Sequence, residues 1–319
     1  MNRRENKMVI RSSIITTSFT YMLKAFLVLL LTTLPSLIYA NAQDQFDIFA
    51  ASDETNKLQV PYERYDEFMS LLSVESKDRV DLRYRAMKPE GIEFLDAYIN
   101  VLSKVTVTSL SSNEQLAYWL NMHNMLVVKA IASQKRFRSL KKQRGNIDSP
   151  GPMWTEKRIT VQGVPLSIDD IERNIIIRLW QSPDVIYGLY QGVLGGPPIS
   201  KKAFRAETLA NELHLIALKY LEAPSVLRVR RRKLTLPVIF DWYKKSLFEN
   251  SDAKLIAHLK TKSVDEISSQ LDSVSSISYS KMDYTIEAQT LRTRASSFDD
   301  ENNIDIFGID EIQEDSSGS

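Results

Sequence analysis

The segment Leu116–Ile131 (LAYWLNMHNMLVVKAI) is apolar around a whole helix, apart from two amides and one imidazole. A helix that is hydrophobic all round is buried, so we expect a long central helix here. Asn121 and Asn124 lie three residues apart and share one face, while His123 points elsewhere. A buried amide must satisfy its donors and its acceptor. The two amides therefore either clamp a neighbouring backbone, such as Gly195–Pro198, or orient the carbonyl group of a ligand.

The remaining pattern mixes helices with short strands. Apolar spacing predicts helices at 62–72, 92–105, 167–180 and 203–221, and alternation predicts strands at 158–164, 184–189 and 233–240. Ser167 is a favourable N-cap for the helix that follows it. This order predicts a helix-rich α+β single domain with a small, mostly antiparallel sheet.

The N-terminus has the pattern of an export signal. Lys24 precedes an apolar run at 25–39, and the small-x-small sequence Ala40-Asn41-Ala42 follows it. We expect cleavage near Ala42 and a periplasmic or secreted protein without a transmembrane span after cleavage. The alternative is a membrane anchor at 25–39, although that run is shorter than the roughly 20 residues that span a bilayer.

Charge divides the rest of the chain. We expect a linker at 43–57, a domain at 58–290 and an acidic, disordered tail at 291–319, since residues 298–319 hold eight acids and no base. The basic clusters Lys135–Arg144 and Arg228–Lys233 predict contact with anionic envelope surfaces rather than with nucleic acid, which an exported protein seldom meets. The alternative is that the acidic tail folds back onto one of these clusters.

The composition limits the chemistry that the chain can perform. There is no cysteine, which excludes disulfides, thiolate catalysis and thiolate metal sites. The three histidines, His123, His214 and His258, do not pair at helical spacing, so we expect no metal and no cofactor.

Glu172 is the carboxylate with the most unusual surroundings. It lies among apolar residues at helical spacing, which predicts a partly buried side chain. The apolar residues are Ile168, Ile175, Ile176 and Leu179. Two interpretations remain open: an ion pair with an arginine such as Arg83 or Arg178, or a general acid/base.

Three blocks in this order resemble a known family. They are AYWLNMHNMLVVKAI (117–131), VQGVPLSIDDIERNIIIRLW (161–180) and PDVIYGLYQGVLGGPPI (183–199), with LPVIFDWY further downstream. Together they resemble the bacterial domain-of-unknown-function family 547, over roughly Val60 to Tyr284. The resemblance implies a papain-like or transglutaminase-like arrangement with Cys/His chemistry, although the family has no settled activity.

The chain departs from the family where that chemistry would lie. Aligned on Pro197–Ile199, the family's two cysteines fall on Gln191 and Gly196, and its histidines fall on Ile186 and Arg173. A family tyrosine is replaced by His123. An amide cannot attack a carbonyl group, so we expect a divergent member without thiol chemistry.

These features favour an exported, non-catalytic ligand- or partner-binding domain. The expected ligand contacts come from Asn121, Asn124, Gln191, Gly195 and Gly196. The alternative is a non-thiol hydrolase or transferase acting on an envelope amide or glycan. In that case Glu172 is the acid/base, and Asn121 or His123 positions the substrate.

Overall fold

The computed structural model describes residues 45–75, 79–84, 87, 89–134 and 139–286. Residues 45–48 belong to a short N-terminal unit, and a second compact unit begins at Phe49. The predicted signal at 1–42 and the predicted tail at 291–319 lie outside the described residues. The domain boundaries at 42, 57 and 290 stay predictions.

Helices account for most of the regular structure. In chain order they are α1 (Glu63–Leu72), α2 (Pro89–Ser103), α3 (Ser112–Ala132), α4 (Lys141–Arg144), α5 (Pro152–Thr155), α6 (Arg178–Trp180), α7 (Val185–Gly188), α8 (Leu209–Glu222), α9 (Ile239–Trp242), α10 (Lys244–Leu247), α11 (Asp252–Thr261) and α12 (Asp265–Leu271). A π-helical segment, Asp170–Ile177, leads into α6, and 3-10 turns cover Asp47–Ala50 and Val107–Ser109. Among the residues described, no helix has both the length and the hydrophobicity needed to cross a membrane.

The strands are short and lie in small, separate sheets. They are β1 (Ser73–Glu75), β2 (Val80–Leu82), β3 (Lys157–Val161), β4 (Val164–Ser167), β5 (Arg228–Arg230), β6 (Lys233–Pro237) and β7 (Ser276–Ser280). In the described part of the chain the sheets are β1–β2, β3–β4 and β5–β6–β7, and every pairing is antiparallel except the parallel β6–β7 pair. The helix-rich α+β class is thus confirmed, and the papain-like arrangement stays a prediction.

Helix α3 lies at the centre of the fold, as its sequence predicts. It is buried on all faces, and α2 and the π-helical segment pack against it. Its N-cap is Ser111, whose Oγ accepts from the Glu114 amide at 3.4 Å. Trp119 packs edge-on against Phe49, with ring centroids 4.9 Å apart. Polar side chains on this helix therefore lie in the core.

Three predicted elements differ from the structure. The strand predicted at 233–240 ends at Pro237, and helix α9 begins at Ile239. The apolar stretch at 184–189 forms the helical turn α7 and not a strand, because a short, fully buried run has no periodicity that separates the two. Helix α8 begins at Leu209, six residues later than expected. Its predicted first turn is held open by hydrogen bonds from the backbone of Ala203 and Phe204 to side chains elsewhere.

Candidate functional site

Asn121 holds the loop that precedes α8. Its Nδ2 donates to the carbonyl oxygen of Phe204 at 2.9 Å, and its Oδ1 accepts from the amide of the same residue at 2.8 Å. Both polar ends of this amide are therefore used within the fold. The expectation that it clamps Gly195–Pro198 is wrong, because the paired backbone is that of residue 204.

Asn124 clamps a different stretch of backbone. Its Nδ2 donates to the Gly188 carbonyl oxygen at 3.0 Å, and its Oδ1 accepts from the Tyr190 amide at 3.1 Å. The same Oδ1 lies 3.0 Å from Nδ1 of His123. The two backbone contacts fix the orientation of the amide, so the atom that faces His123 is an acceptor.

Both ring nitrogens of His123 face oxygen acceptors. Nδ1 faces Oδ1 of Asn124, and Nε2 lies 3.0 Å from Oε2 of Glu172. The imidazole is completely buried, so both of its polar atoms are paired with protein oxygen atoms.

Glu172 is enclosed by donors. Its side chain is fully buried, which in the absence of partners would cost several kcal/mol. Oε1 accepts from Arg144 at 3.2 Å and from the Tyr243 hydroxyl, and Oε2 lies within 3.0–3.3 Å of His123, Gln191 and Trp154 nitrogens. The four lone pairs of an ionised carboxylate are thus fully used.

These partners set the ionisation of the group. Burial alone would raise the pKa of Glu172, but the guanidinium charge of Arg144 and the hydrogen bonds from His123 and Tyr243 hold that pKa well below its usual range. Burial and the charge of Glu172 raise the pKa of the Tyr243 phenol well above its usual value, so Tyr243 stays a donor. Glu172 is therefore a permanent anion near neutral pH.

The cation of this cluster is Arg144, which ends helix α4. The expected partners were Arg83 and Arg178, but Arg144 is the arginine that contacts the carboxylate. Its Nε and a terminal nitrogen both donate to Oε1 of Gln191, at 2.9 and 2.8 Å. Its guanidinium lies between two indole rings, 4.8 Å from the centroid of Trp154 and 4.6 Å from that of Trp242.

This position corrects one sequence prediction. Arg144 is 1% exposed, so it does not belong to the anion-binding surface that we predicted at Lys135–Arg144. Residues 135–138 of that cluster lie outside the described part of the chain, and Lys141 and Lys142 are exposed. The hairpin cluster Arg228–Lys233 has its basic side chains exposed.

The segment that carries Glu172 starts as expected. The Ser167 Oγ accepts from the Asp170 amide at 3.1 Å, and Oδ2 of Asp170 accepts in return from the Ser167 amide at 2.8 Å. This reciprocal pairing caps the helix. Beyond it the backbone is wound as a π-helix from Asp170 to Ile177, a rare conformation that often occurs at functional positions.

The remaining predicted site residues are also used within the fold. Gln191 is fully buried between Arg144 and Glu172. A Cβ on Gly196 would lie 2.7 Å from the Cβ of Gln191, so only glycine fits there. The Gly195 amide donates to the Asp283 carbonyl oxygen at 3.0 Å. These residues meet one another, but their contacts are with protein groups.

The sequence analysis missed several members of the cluster. Arg144 lies in a run of basic residues that is typical of a solvent-exposed segment. Trp154 and Tyr243 lie far from Glu172 in sequence, so only the folded chain brings them together. The block LPVIFDWY, part of the family resemblance, held the signal for Tyr243 and Trp242.

One cleft opens beside the buried cluster. It has a volume of about 650 Å³, and its lining includes Lys141, Asp241, Trp242, Lys245, Lys281 and Tyr284. Trp242 is half-buried and joins the cleft to the cluster through its contact with Arg144. Within the described residues, no three His, Cys, Asp or Glu side chains are placed to hold a metal ion.

Comparison with known proteins gives one family. The family model described as "Protein of unknown function, DUF547" matches residues 107–221. Residues 107–221 of the chain are thus similar to the DUF547 family. The DUF547 segment contains His123, Arg144, Trp154, Glu172 and Gln191, whereas Tyr243 and the cleft residues of α9 and α10 lie beyond it. No curated protein and no solved structure matches the chain.

Proposed function

We propose that this protein is a non-catalytic ligand-binding domain whose site is the cleft beside Trp242. The observation that carries the proposal is the complete enclosure of Glu172 by protein donors. A carboxylate without solvent access and without a free lone pair stabilises the fold and positions its neighbours. In this proposal the side chains that line the cleft contact the ligand.

The lining of the cleft indicates the chemistry of its ligand. Its volume of about 650 Å³ lies within the roughly 300–1,000 Å³ of typical ligand pockets. Lys141, Lys245 and Lys281 are exposed there, and none of the three has an ion-pair partner among the described residues. Two acids, Asp148 and Asp241, share the lining. Three free cations around a half-buried indole fit an anionic ligand with a flat apolar face, such as an acidic saccharide.

Export is part of the same proposal. The pattern at residues 24–42 supports a cleaved signal, which would deliver the domain to the cell envelope or beyond, where acidic polymers are abundant. The cleft lies away from the ligand contacts that the sequence predicted at Asn121, Asn124 and Gln191. In our proposal Gln191 supports the wall of the site through Arg144 and Trp242, whereas Asn121 and Asn124 hold backbone elsewhere in the fold.

The enzyme alternative needs Glu172 to exchange a proton with a substrate. Its lowered pKa makes it a poor acid, and its burial separates it from the cleft, so the geometry supports that function less well. His123 is equally buried. An opening of the Trp242 wall would be required before either group could touch a substrate.

The test is calorimetric titration of the full chain with a uronic-acid tetrasaccharide. We expect saturable binding that weakens at least fivefold in the double variant K141Q/K281Q. The variant K254Q removes an exposed lysine of α11 outside the cleft and should bind as the unmodified chain does. Binding that does not distinguish these variants would contradict the assignment of the cleft.

Mass spectrometry of the recovered probe separates binding from catalysis. We expect the tetrasaccharide to be recovered intact. Cleavage of the probe that is lost in E172Q, while its affinity is retained, would replace the binding proposal with the enzyme alternative. A mature N-terminus at Gln43 is the expected result for the exported protein.

A further inference from the structure

The hairpin tip between β5 and β6 is unusually basic and locally unfavourable. Arg228, Arg230, Arg231, Arg232 and Lys233 are all exposed, and none has an ion-pair partner among the residues that the structure describes. Arg230 and Lys233 are direct cross-strand partners, and like charges placed opposite each other destabilise a sheet. We therefore expect these five positively charged side chains to bind an anionic group.

The backbone conformation of the turn between β5 and β6 destabilises the hairpin further. Arg231 and Arg232 form its two central residues, with φ of 50° and 64°, where a two-residue hairpin turn normally favours Asn-Gly. The β3–β4 hairpin shows the ordinary solution, since Gly163 occupies the second position of its turn with φ of 83°. Two arginines thus stand where the backbone disfavours them, which is a common property of functional surfaces.

An apolar groove adjoins the basic tip. It has a volume of about 440 Å³, and the apolar part of its lining is Pro224, Leu227, Val229, Val264 and Ile267. Polar side chains line the rest of it, namely Arg228, Glu222, Glu266 and Gln270. Val264 is 37% exposed, which makes it one of the few large apolar side chains open to solvent. The surface therefore combines a polycationic ridge with an apolar depression, and a partner should carry both features.

We propose that the chain's own acidic segment, residues 298–319, docks on this hairpin and groove. The segment has eight acidic and no basic residues, and it includes Phe307, Ile309 and Ile312. Its negative charge complements the five cations, and its large apolar residues fit the groove. The acidic segment thus complements this surface both in charge and in apolar character.

The length of the chain permits this contact. Ser276 is paired with Lys233 at the hairpin tip, and the described chain runs only ten residues further, to Ile286. Residues 287–297 number eleven and contain no proline. Ser276 and Ile286 cannot lie further apart than the extended length of the ten residues that join them. The eleven residues after Ile286 have at least the same extended length, so they are long enough to return to the hairpin tip. The acidic segment can therefore reach the tip.

The test uses a peptide of residues 298–319 and two forms of the full chain. In one form the eight acids of the tail are changed to Asn or Gln, which frees the surface without shortening the chain. We expect this form to bind the peptide at about 0.05 M NaCl, with NMR shifts at Arg228–Lys233 and at the groove, and with an affinity that falls as salt screens the charges. The unmodified chain should bind it at least tenfold more weakly, because its own segment competes at high effective concentration.

Matched variants locate the surface. R231N/R232G removes two cations but supplies the preferred turn, so the hairpin remains folded; we expect at least a tenfold loss of peptide affinity. K57Q/K104Q removes two exposed lysines elsewhere and should have no effect. Three results would each overturn the proposal: no binding to the neutral-tail form, equal affinity for both forms, or no response to R231N/R232G.

Discussion

Replacing Arg144 with methionine should be among the most damaging single changes in the core. The substitution roughly keeps the volume but removes the guanidinium charge that is bonded to the fully buried Glu172. Breaking a buried pair in this way costs about 3–5 kcal/mol, and the stacking of the guanidinium on Trp154 and Trp242 is lost as well. Since the whole protein is stable by about 5–15 kcal/mol, R144M should unfold at much lower urea concentration.

The pH dependence gives a sharper test of the same cluster. In the native chain the pKa of Glu172 lies below its unfolded value of about 4.3. The stabilisation from Glu172 is therefore complete above that pH and declines as the pH falls through it. In R144M the positive charge of Arg144 no longer offsets the effect of burial, so the pKa of Glu172 rises. The difference in unfolding free energy between the two proteins should then shrink as the pH falls through about 4.3, where the native chain begins to lose this stabilisation.

Urea unfolding followed by circular dichroism measures both effects. The control is Arg64→Met, which removes the half-exposed pair with Glu67 and should cost less than about 1 kcal/mol. In the double variant R144M/E172Q the loss should be smaller than the sum of the two single losses by at least about 2 kcal/mol. A cost for R144M close to that of R64M, or additivity in the double variant, would refute the ion-pair reasoning.

Three further substitutions test other parts of the fold by the same unfolding measurement. Asn121→Ala should cost about 3 kcal/mol, because it leaves the N–H and the carbonyl group of Phe204 buried without partners; a cost below 1 kcal/mol would contradict the clamp. Gly145→Ala should cost clearly more than Gly163→Ala: both have positive φ, but only the Cβ at 145 would meet backbone, at 2.1 Å. Burial lowers the pKa of His258 to about 4, so the native chain loses stability as the pH falls below 6.5; in His258→Phe this loss should be about 2 kcal/mol smaller at pH 5 than in the unmodified chain.

Local sequence patterns predicted much of the fold because its main constraints are local. The unbroken apolar character of α3 predicted a central helix, and the apolar neighbours of Glu172 predicted its burial. The partner of that carboxylate could not be predicted, because Arg144 lies within a basic run that reads as solvent-exposed. Only tertiary contacts with Trp154 and Trp242 identify it as a core residue. Pairings between distant segments leave little trace in local spacing.

The buried cluster also constrains the order in which the molecule can fold. Its members come from separate segments between His123 and Tyr243, so the charge of Glu172 is fully compensated only when about 120 residues have assembled. Contacts of such sequence separation form slowly. Until they form, an uncompensated carboxylate opposes the collapse of α3 onto the π-helical segment. Completion of the cluster should therefore be a late and rate-limiting event, and a chain that ends before Tyr243 should remain loosely packed.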